Sequence, residues 1–393
     1  MKRLFVLAAA SAALLGATAG AATATPKPDV RTTLQQDANA ILKQGSPGVL
    51  AQLSTTHGST TVRAGFGNTA TKEPVPWNAK FRIGSFTKTF VATTVLQLVG
   101  EGKVKLDAPI EKYLPGTVPN GKNITVRQLL QHTSGLADYL AAPEFAFLAD
   151  REAFEKGRVR DFTAEQLVAL GTKQKPLFAP GTNWQYSNTN FVLAGLLIKK
   201  VTGDDWRVQV NERIVRPLGL KDTTSPGTDH TVPEPHAIGY ERFPGAGATP
   251  EDPRYGEAID ATELSSTWGD AAGEIISTTA DGNRFLRALL SGKLLKPAQL
   301  AEMKKTVEAK PFAAIWPGAR YGLGLMSATS PCGLIWGHGG DILGFKTRNG
   351  ANEQGTRSVI VSLNTDSLKP LPGAPKLTQD VAVKLIQDGI CAK

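Results

Sequence analysis

The stretch "FRIGSFTKTFVATTVLQLVGEG", residues 81–102, decides the fold. It opens like a short strand, breaks at Gly84 and continues as an amphipathic helix from Ser85 to about Gly100, with Phe90, Val91, Val95, Leu96 and Leu98 on a broad apolar face. Ser85 and Lys88 stand at i and i+3 in the first turn, so they share a face, and the unpaired N–H groups there favour nearby negative charge. The pair reads either as a helix cap with a solvated lysine or as a nucleophile with its base. Spacing permits both, and Ser-x-x-Lys occurs once in the chain.

On the N-terminal side, "RTTLQQDANAILKQ" (31–44) predicts a helix, and "GVLAQLS" and "TTVRAGFG" predict two strands joined by a Gly-Ser turn. From about 105 to 265 the signals are helical, as in "TVRQLLQH", "TAEQLVAL", "NFVLAGLLIKKVTG" and "DWRVQVNERIVRPLGL". Long Pro- and Gly-rich loops separate them, and loops of that length are expected to form one wall of a cleft. After "AAGEIIST" and a helix at "ADGNRFLRALLSG", strands return at "GLIWGHGG", "GFKTRNG" and "RSVIVSLNT", and "LTQDVAVKLIQDGI" closes the chain as a helix. Strands at both ends predict an α/β (α+β) fold: one antiparallel sheet flanked by helices, built from about 28–104 and 266–393, with a mainly helical inserted lobe at about 105–265.

The 393 residues are 41% hydrophobic and 20% charged, an ordinary globular composition that excludes disordered and fibrous classes. Residues 1–24 place Lys2 and Arg3 before an apolar run and a series of small residues, the layout of a cleavable signal peptide. The expected location is therefore secreted or periplasmic. No cysteine follows the apolar run and no later stretch is long and apolar enough to span a bilayer, so no membrane anchor is expected. The formal charge is +9, or +7 without Lys2 and Arg3, and it is scattered, which gives no indication of nucleic-acid binding. Export allows the only two cysteines, Cys332 and Cys391, to form a disulfide; two buried thiols are the alternative.

Two further elements bear on Ser85. In "GTNWQYSNTNF", Tyr186-Ser187-Asn188 sits in a loop before an apolar helix, where a tyrosine beside an ammonium can relay a proton and an asparagine can pair with a substrate amide; helix capping is the other reading. In "LIWGHGGDILGF", two glycines after the strand residue His338 let a substrate backbone come close, and a following N–H can serve an oxyanion; a β-bulge beside a core histidine is the other reading.

Ser-x-x-Lys, Tyr-Ser-Asn and His-x-Gly in this order resemble the serine penicillin-recognising hydrolases, which include secreted D-alanyl-D-alanine carboxypeptidases, class C β-lactamases and related esterases. "LDAPIEKYLPG", "ITVRQLLQHTSGL", "AAGEIIST", "YGLGL" and "GHGG" extend the resemblance over nearly the whole chain after residue 24, closest to the carboxypeptidases. It implies the β-lactamase/DD-peptidase-like fold and a monomer needing no cofactor or metal, with Ser85 as acylated nucleophile and the N–H groups of Ser85 and Asp341 as oxyanion donors. Lys88 and Tyr186 would share the proton transfers, Asn188 would hold the substrate's acyl-side amide, and His338 would bond to the tyrosine. Trp268 would line the pocket, His132 would be structural, and Cys332 and Cys391 match bridged positions. The implied substrates are D-Ala-D-Ala-type cell-wall peptides, with β-lactam antibiotics as acylating ligands.

Departures qualify that expectation. Gly339 stands where carboxypeptidases usually have a threonine that helps bind the terminal carboxylate, no arginine follows "YGLGL", and Asp341 adds a negative charge. An esterase, an amidase or a D-aminopeptidase is therefore the alternative, with a non-catalytic penicillin- or wall-binding protein as a third class. The chain has no Gly-x-Ser-x-Gly elbow, and "GTVPNGKN" lacks the Ser/Thr of a phosphate loop.

Overall fold

The computed structural model describes residues 29–249, 252–313 and 315–392, so the expected signal segment lies outside the described residues. Nine strands form one sheet: β1 Gly48–Thr55, β2 Gly58–Gly65, β3 Val307–Glu308, β4 Arg320–Tyr321, β5 Met326–Ser330, β6 Gly333–Gly337, β7 Gly340–Ile342, β8 Phe345–Asn352 and β9 Ser358–Leu363. Their order is β2-β1-β9-β8-β6-β5-β4-β3, every pairing antiparallel, with β7 on β8. N-terminal β1 thus pairs with C-terminal β9, as strands at both ends require. The β1–β2 turn falls at Thr56 and His57, not at Gly58-Ser59, because both of those residues pair across the hairpin.

Alternation along β9 shows why the sheet is covered twice. Val359, Val361 and Leu363 face Leu34, Ala38 and Ile41 of α1 (Val30–Lys43) and Leu385, Ile386 and Ile390 of the C-terminal helix Val383–Cys391. Ile360 faces the larger core shared with α2 (Thr87–Gly100), α3 (Thr189–Thr202) and α4 (Thr279–Leu290). The C-terminal helix starts later than its apolar pattern suggests. Asp380 caps the turn before it through Ala382 N–H (3.0 Å) and holds the Arg348 guanidinium (2.8 Å).

The stretch 105–265 contributes mostly short helices, among them Val126–Gln131, Ala164–Thr172 and α3, plus a small ladder between Tyr240–Glu241 and Ile259–Asp260. This layer closes over α2, which is consequently buried on nearly every side and not amphipathic. Its threonines tolerate this because each finds a backbone partner: Thr89, Thr93 and Thr94 donate to Gly324, Thr89 and Phe90 carbonyls, and Thr87 accepts from Ile275 N–H. In residues 81–96 only Ser85 is not buried. None of the described helices is long and apolar enough to cross a membrane.

Cys332 and Cys391 form a disulfide that ties the start of β6 to the last helix across 59 residues of chain. Replacing both with serine is expected to remove roughly 2–4 kcal/mol of stability, read as a lower urea midpoint. An unchanged midpoint would mean that Leu385, Ile386 and Ile390 hold the last helix unaided.

Candidate active site

Ser85 lies in the tight turn Gly84–Phe86 that leads into α2, and Lys88 one turn later points the same way. Lys88 Nζ is 3.1 Å from Ser85 Oγ, 2.7 Å from Asn188 Oδ1 and 2.7 Å from the Ala272 carbonyl. The Asn188 amide is oriented without ambiguity, because its Nδ2 donates to Asp138 Oδ2 (2.8 Å) and its backbone N–H meets the same oxygen (3.1 Å). Two of the three partners of Lys88 are therefore carbonyl oxygens that can only accept.

Lys88 has no solvent exposure, and burial pushes its ammonium down to about 7, with the Asp138 charge opposing. A neutral amine has two N–H donors and one lone pair. Both donors go to Asn188 and Ala272, so the lone pair is left for the Ser85 hydroxyl, and Lys88 is built as an acceptor for that proton. The Tyr186 hydroxyl is buried without a hydrogen-bond partner. Burial drives it well above its ordinary range, the neighbouring Ser85 hydroxyl opposing, so it is a phenol at neutral pH.

The strand side of the site is a break in the ladder. β6 and β7 lie along the same side of β8, and between them His338 and Gly339 leave the sheet. Asn349 fills the gap, accepting from His338 N–H (2.9 Å) and donating to its carbonyl (2.7 Å). β7 and β8 join through the two-residue turn Leu343-Gly344, so Ile342 and Phe345 are the hydrogen-bonded pair and the Asp341 N–H points away from β8. It points at the nucleophile's turn. A Cβ on Gly84, whose φ is +51°, would stand 2.9 Å from Asp341 N, and one on Gly340 would overlap the Ile83 carbonyl and reach within 2.9 Å of Ser85 N. Glycine at both positions lets the two N–H groups converge as an oxyanion pair.

His338 does not bond to Tyr186 as expected. Its Nε2 meets Tyr321 Oη (2.8 Å) and its Nδ1 the Gly339 carbonyl (2.6 Å). Tyr321 Oη also meets His132 Nε2 (3.1 Å), while His132 Nδ1 accepts from Ser187 N–H (3.2 Å). That last donor fixes the proton pattern: His132 Nε2–H donates to Tyr321, Tyr321 O–H donates to His338 Nε2, and His338 Nδ1–H donates to Gly339. Both rings are neutral, burial pushing His338 down to about 3 and His132 well below its usual value. Trp268 is also displaced from its expected place: it packs on Phe147 in the helical layer, and its carbonyl accepts from Tyr139 (2.6 Å).

A cavity of about 410 Å³ opens beside Ser85, lined by Tyr186, Phe312, Ile315, Trp316, Met326 and Ile335, with Gly339, Asp341 and Arg348 at the strand side. Arg348 is the only lysine or arginine among its described lining residues, and its guanidinium is committed to Asp380, Asp341 and the Thr347 carbonyl (2.8, 2.9 and 2.9 Å). Asp138 and Asn349 lie outside every motif of the sequence, and Ala272 and Tyr321 lie within "AAGEIIST" and "YGLGL" without being singled out as site residues. Each acts through a long-range contact.

The profile of the Beta-lactamase family matches residues 27–383. Among solved structures, a D-stereospecific amidohydrolase from Streptomyces sp. is 40% identical, with TM-score 0.78 over 86% of this chain and 95% of that one. D-amino acid amidase from Ochrobactrum anthropi SV3, complexed with D-phenylalanine, is 28% identical, with TM-score 0.77 over 92% of this chain and 98% of that one. Among curated proteins, D-aminopeptidase of Cereibacter sphaeroides is 27% identical over 77% of this chain and 54% of its own length. Across the first curated relatives the chain spans 43 to 68% of their lengths.

The Lys88 geometry gives a pH signature. With a neutral ester such as p-nitrophenyl acetate, kcat/KM is expected to rise through about pH 7 as Lys88 loses its proton, then level off. Asp138→Asn removes a charge that favours the ammonium, so the limb should move to lower pH. A limb that stays in place would uncouple Lys88 from the rate.

Proposed function

We propose that this chain, which belongs to the Beta-lactamase family and is a serine hydrolase, cleaves amides of D-amino acids through an acyl-enzyme on Ser85. The observation that carries the reading is the commitment of both Lys88 donors to carbonyl oxygens, which leaves its lone pair for the Ser85 proton. Lys88 takes that proton as Ser85 Oγ attacks the carbonyl carbon, and the oxyanion is held by the N–H groups of Ser85 and Asp341. The carbon–nitrogen bond then breaks. The leaving nitrogen receives the proton from Lys88 through the unpartnered Tyr186 hydroxyl, and water releases the acid by the reverse route.

Two features favour an amidase or aminopeptidase over a D-Ala-D-Ala carboxypeptidase. A substrate ending in a free carboxylate calls for an uncommitted cation, and Arg348 is bonded to protein acceptors. Two of the similar solved structures are, by their names, a D-stereospecific amidohydrolase and a D-amino acid amidase. The apolar cavity suits a large side chain on the acyl group. The disulfide and the pattern of residues 1–24 support work outside the cytoplasm.

The test is ammonia release from D-phenylalaninamide and L-phenylalaninamide beside D-alanine release from a peptide ending in D-Ala-D-Ala. The D-amide should be turned over fastest, and Ser85→Ala should lose roughly a thousandfold or more. D-alanine release from the peptide with no amide turnover would replace this reading with the carboxypeptidase.

A further inference from the structure

Asp341 does two different things at this site. Its backbone N–H faces Ser85, while its side chain, 48% exposed, stands at the cavity wall. Lys346 and Arg348 both bond to the same oxygen, Oδ1, at 2.7 and 2.9 Å. Oδ2 accepts no hydrogen bond among the described residues. Desolvation works against the carboxylate, but Arg348 and Lys346 outweigh it and hold Asp341 far below the usual range, so it is an anion at any working pH.

The surrounding charge does not cancel that anion. Lys346 is shared with Asp366 (2.8 Å) and Arg348 with Asp380 (2.8 Å), so neither cation is spent on Asp341 alone. Burial lifts Asp366 to about 7 against the pull of Lys346, and the charges of Asp341 and Glu241 add to the rise. The Asp341 charge also reaches the buried, unpartnered Tyr186 hydroxyl, which lines the same cavity. An open carboxylate oxygen on the wall of an apolar cavity that also holds Ser85 suits a cation attached to an apolar body.

We propose that Asp341 Oδ2 receives the free α-ammonium of the substrate, which makes the enzyme selective for D-aminoacyl amides with an unblocked amino group. This rests on the amidase reading and sharpens it to a substrate class. The α-ammonium is adjacent to the scissile carbonyl, and the same residue supplies an oxyanion N–H, so one residue reads both the amine and the reacting carbonyl. N-acylated substrates lose the ion pair and bring a bulky neutral group against Asp341. A substrate carboxylate beside Asp341 would meet like charge.

The experiment compares kcat/KM for D-phenylalaninamide with those for N-acetyl-D-phenylalaninamide and 3-phenylpropanamide, in the unmodified protein and in Asp341→Asn. The unmodified protein should prefer the free amine by about tenfold or more, and Asp341→Asn should collapse that ratio by a similar factor, a charge-assisted hydrogen bond being at stake. The ratio cancels any general loss from disturbing the oxyanion turn. Should the variant fail to fold, inhibition of the unmodified protein decides: 2-phenylethylamine should bind about tenfold or more tighter than 2-phenylethanol at pH 7. Equal rates on free and blocked amides, an unchanged ratio in the variant, or equal inhibition overturns the Asp341 assignment and leaves the amidase reading standing. No turnover of any amide overturns both.

Discussion

The structure depends on keeping one ammonium-type nitrogen out of water with too few partners to hold its charge. Lys88 is enclosed by α2, α3 and the 270–274 turn, and the groups it bonds to are an amide oxygen, a peptide carbonyl and the Ser85 hydroxyl. A carboxylate in direct contact would have kept it charged. Asp138 is instead held one residue away, behind Asn188, where it orients the amide and only tempers the loss of charge. The helical layer that buries α2 is therefore part of the chemistry, since a solvated Lys88 would be protonated at neutral pH.

The second constraint is steric. In the proposed mechanism two N–H groups from segments 256 residues apart in sequence face one oxyanion, which requires the Gly84 turn and β7 to meet at backbone contact. The sheet supplies this by breaking at His338 and Gly339, and Asn349 replaces the missing ladder bonds. The chain of Ser187, His132, Tyr321 and His338 braces the same break from behind, every proton in it having one acceptor. His338 is thus a neutral brace. The Tyr186 hydroxyl is left unpartnered beside Ser85.

Much of this was legible in the sequence for physical reasons. The unbroken apolar runs Val49–Ala51 in β1 and Val359–Val361 in β9 suit a sheet covered on both faces, and Ser85, Lys88, Tyr186 and Asn188 lie in short local patterns that the fold gathers. What was not legible depends on distant pairing. The burial of α2 on its remaining faces follows from the packing of residues 105–265, which no local pattern in α2 shows. The resemblance implies a bond from His338 to Tyr186, but the Tyr321 hydroxyl takes that ring nitrogen. Trp268 reads as a pocket aromatic until the Phe147 contact and the Tyr139 hydrogen bond turn it into the helical layer.

The desolvated lysine is tested most directly by NMR titration of the protein labelled with carbon-13 at the lysine ε positions, with Lys88→Arg to assign the signal. One resonance titrating near pH 7 and absent from the variant is predicted. A Lys88 signal that titrates with the surface lysines, near pH 10.4, would contradict it and remove the base from the mechanism.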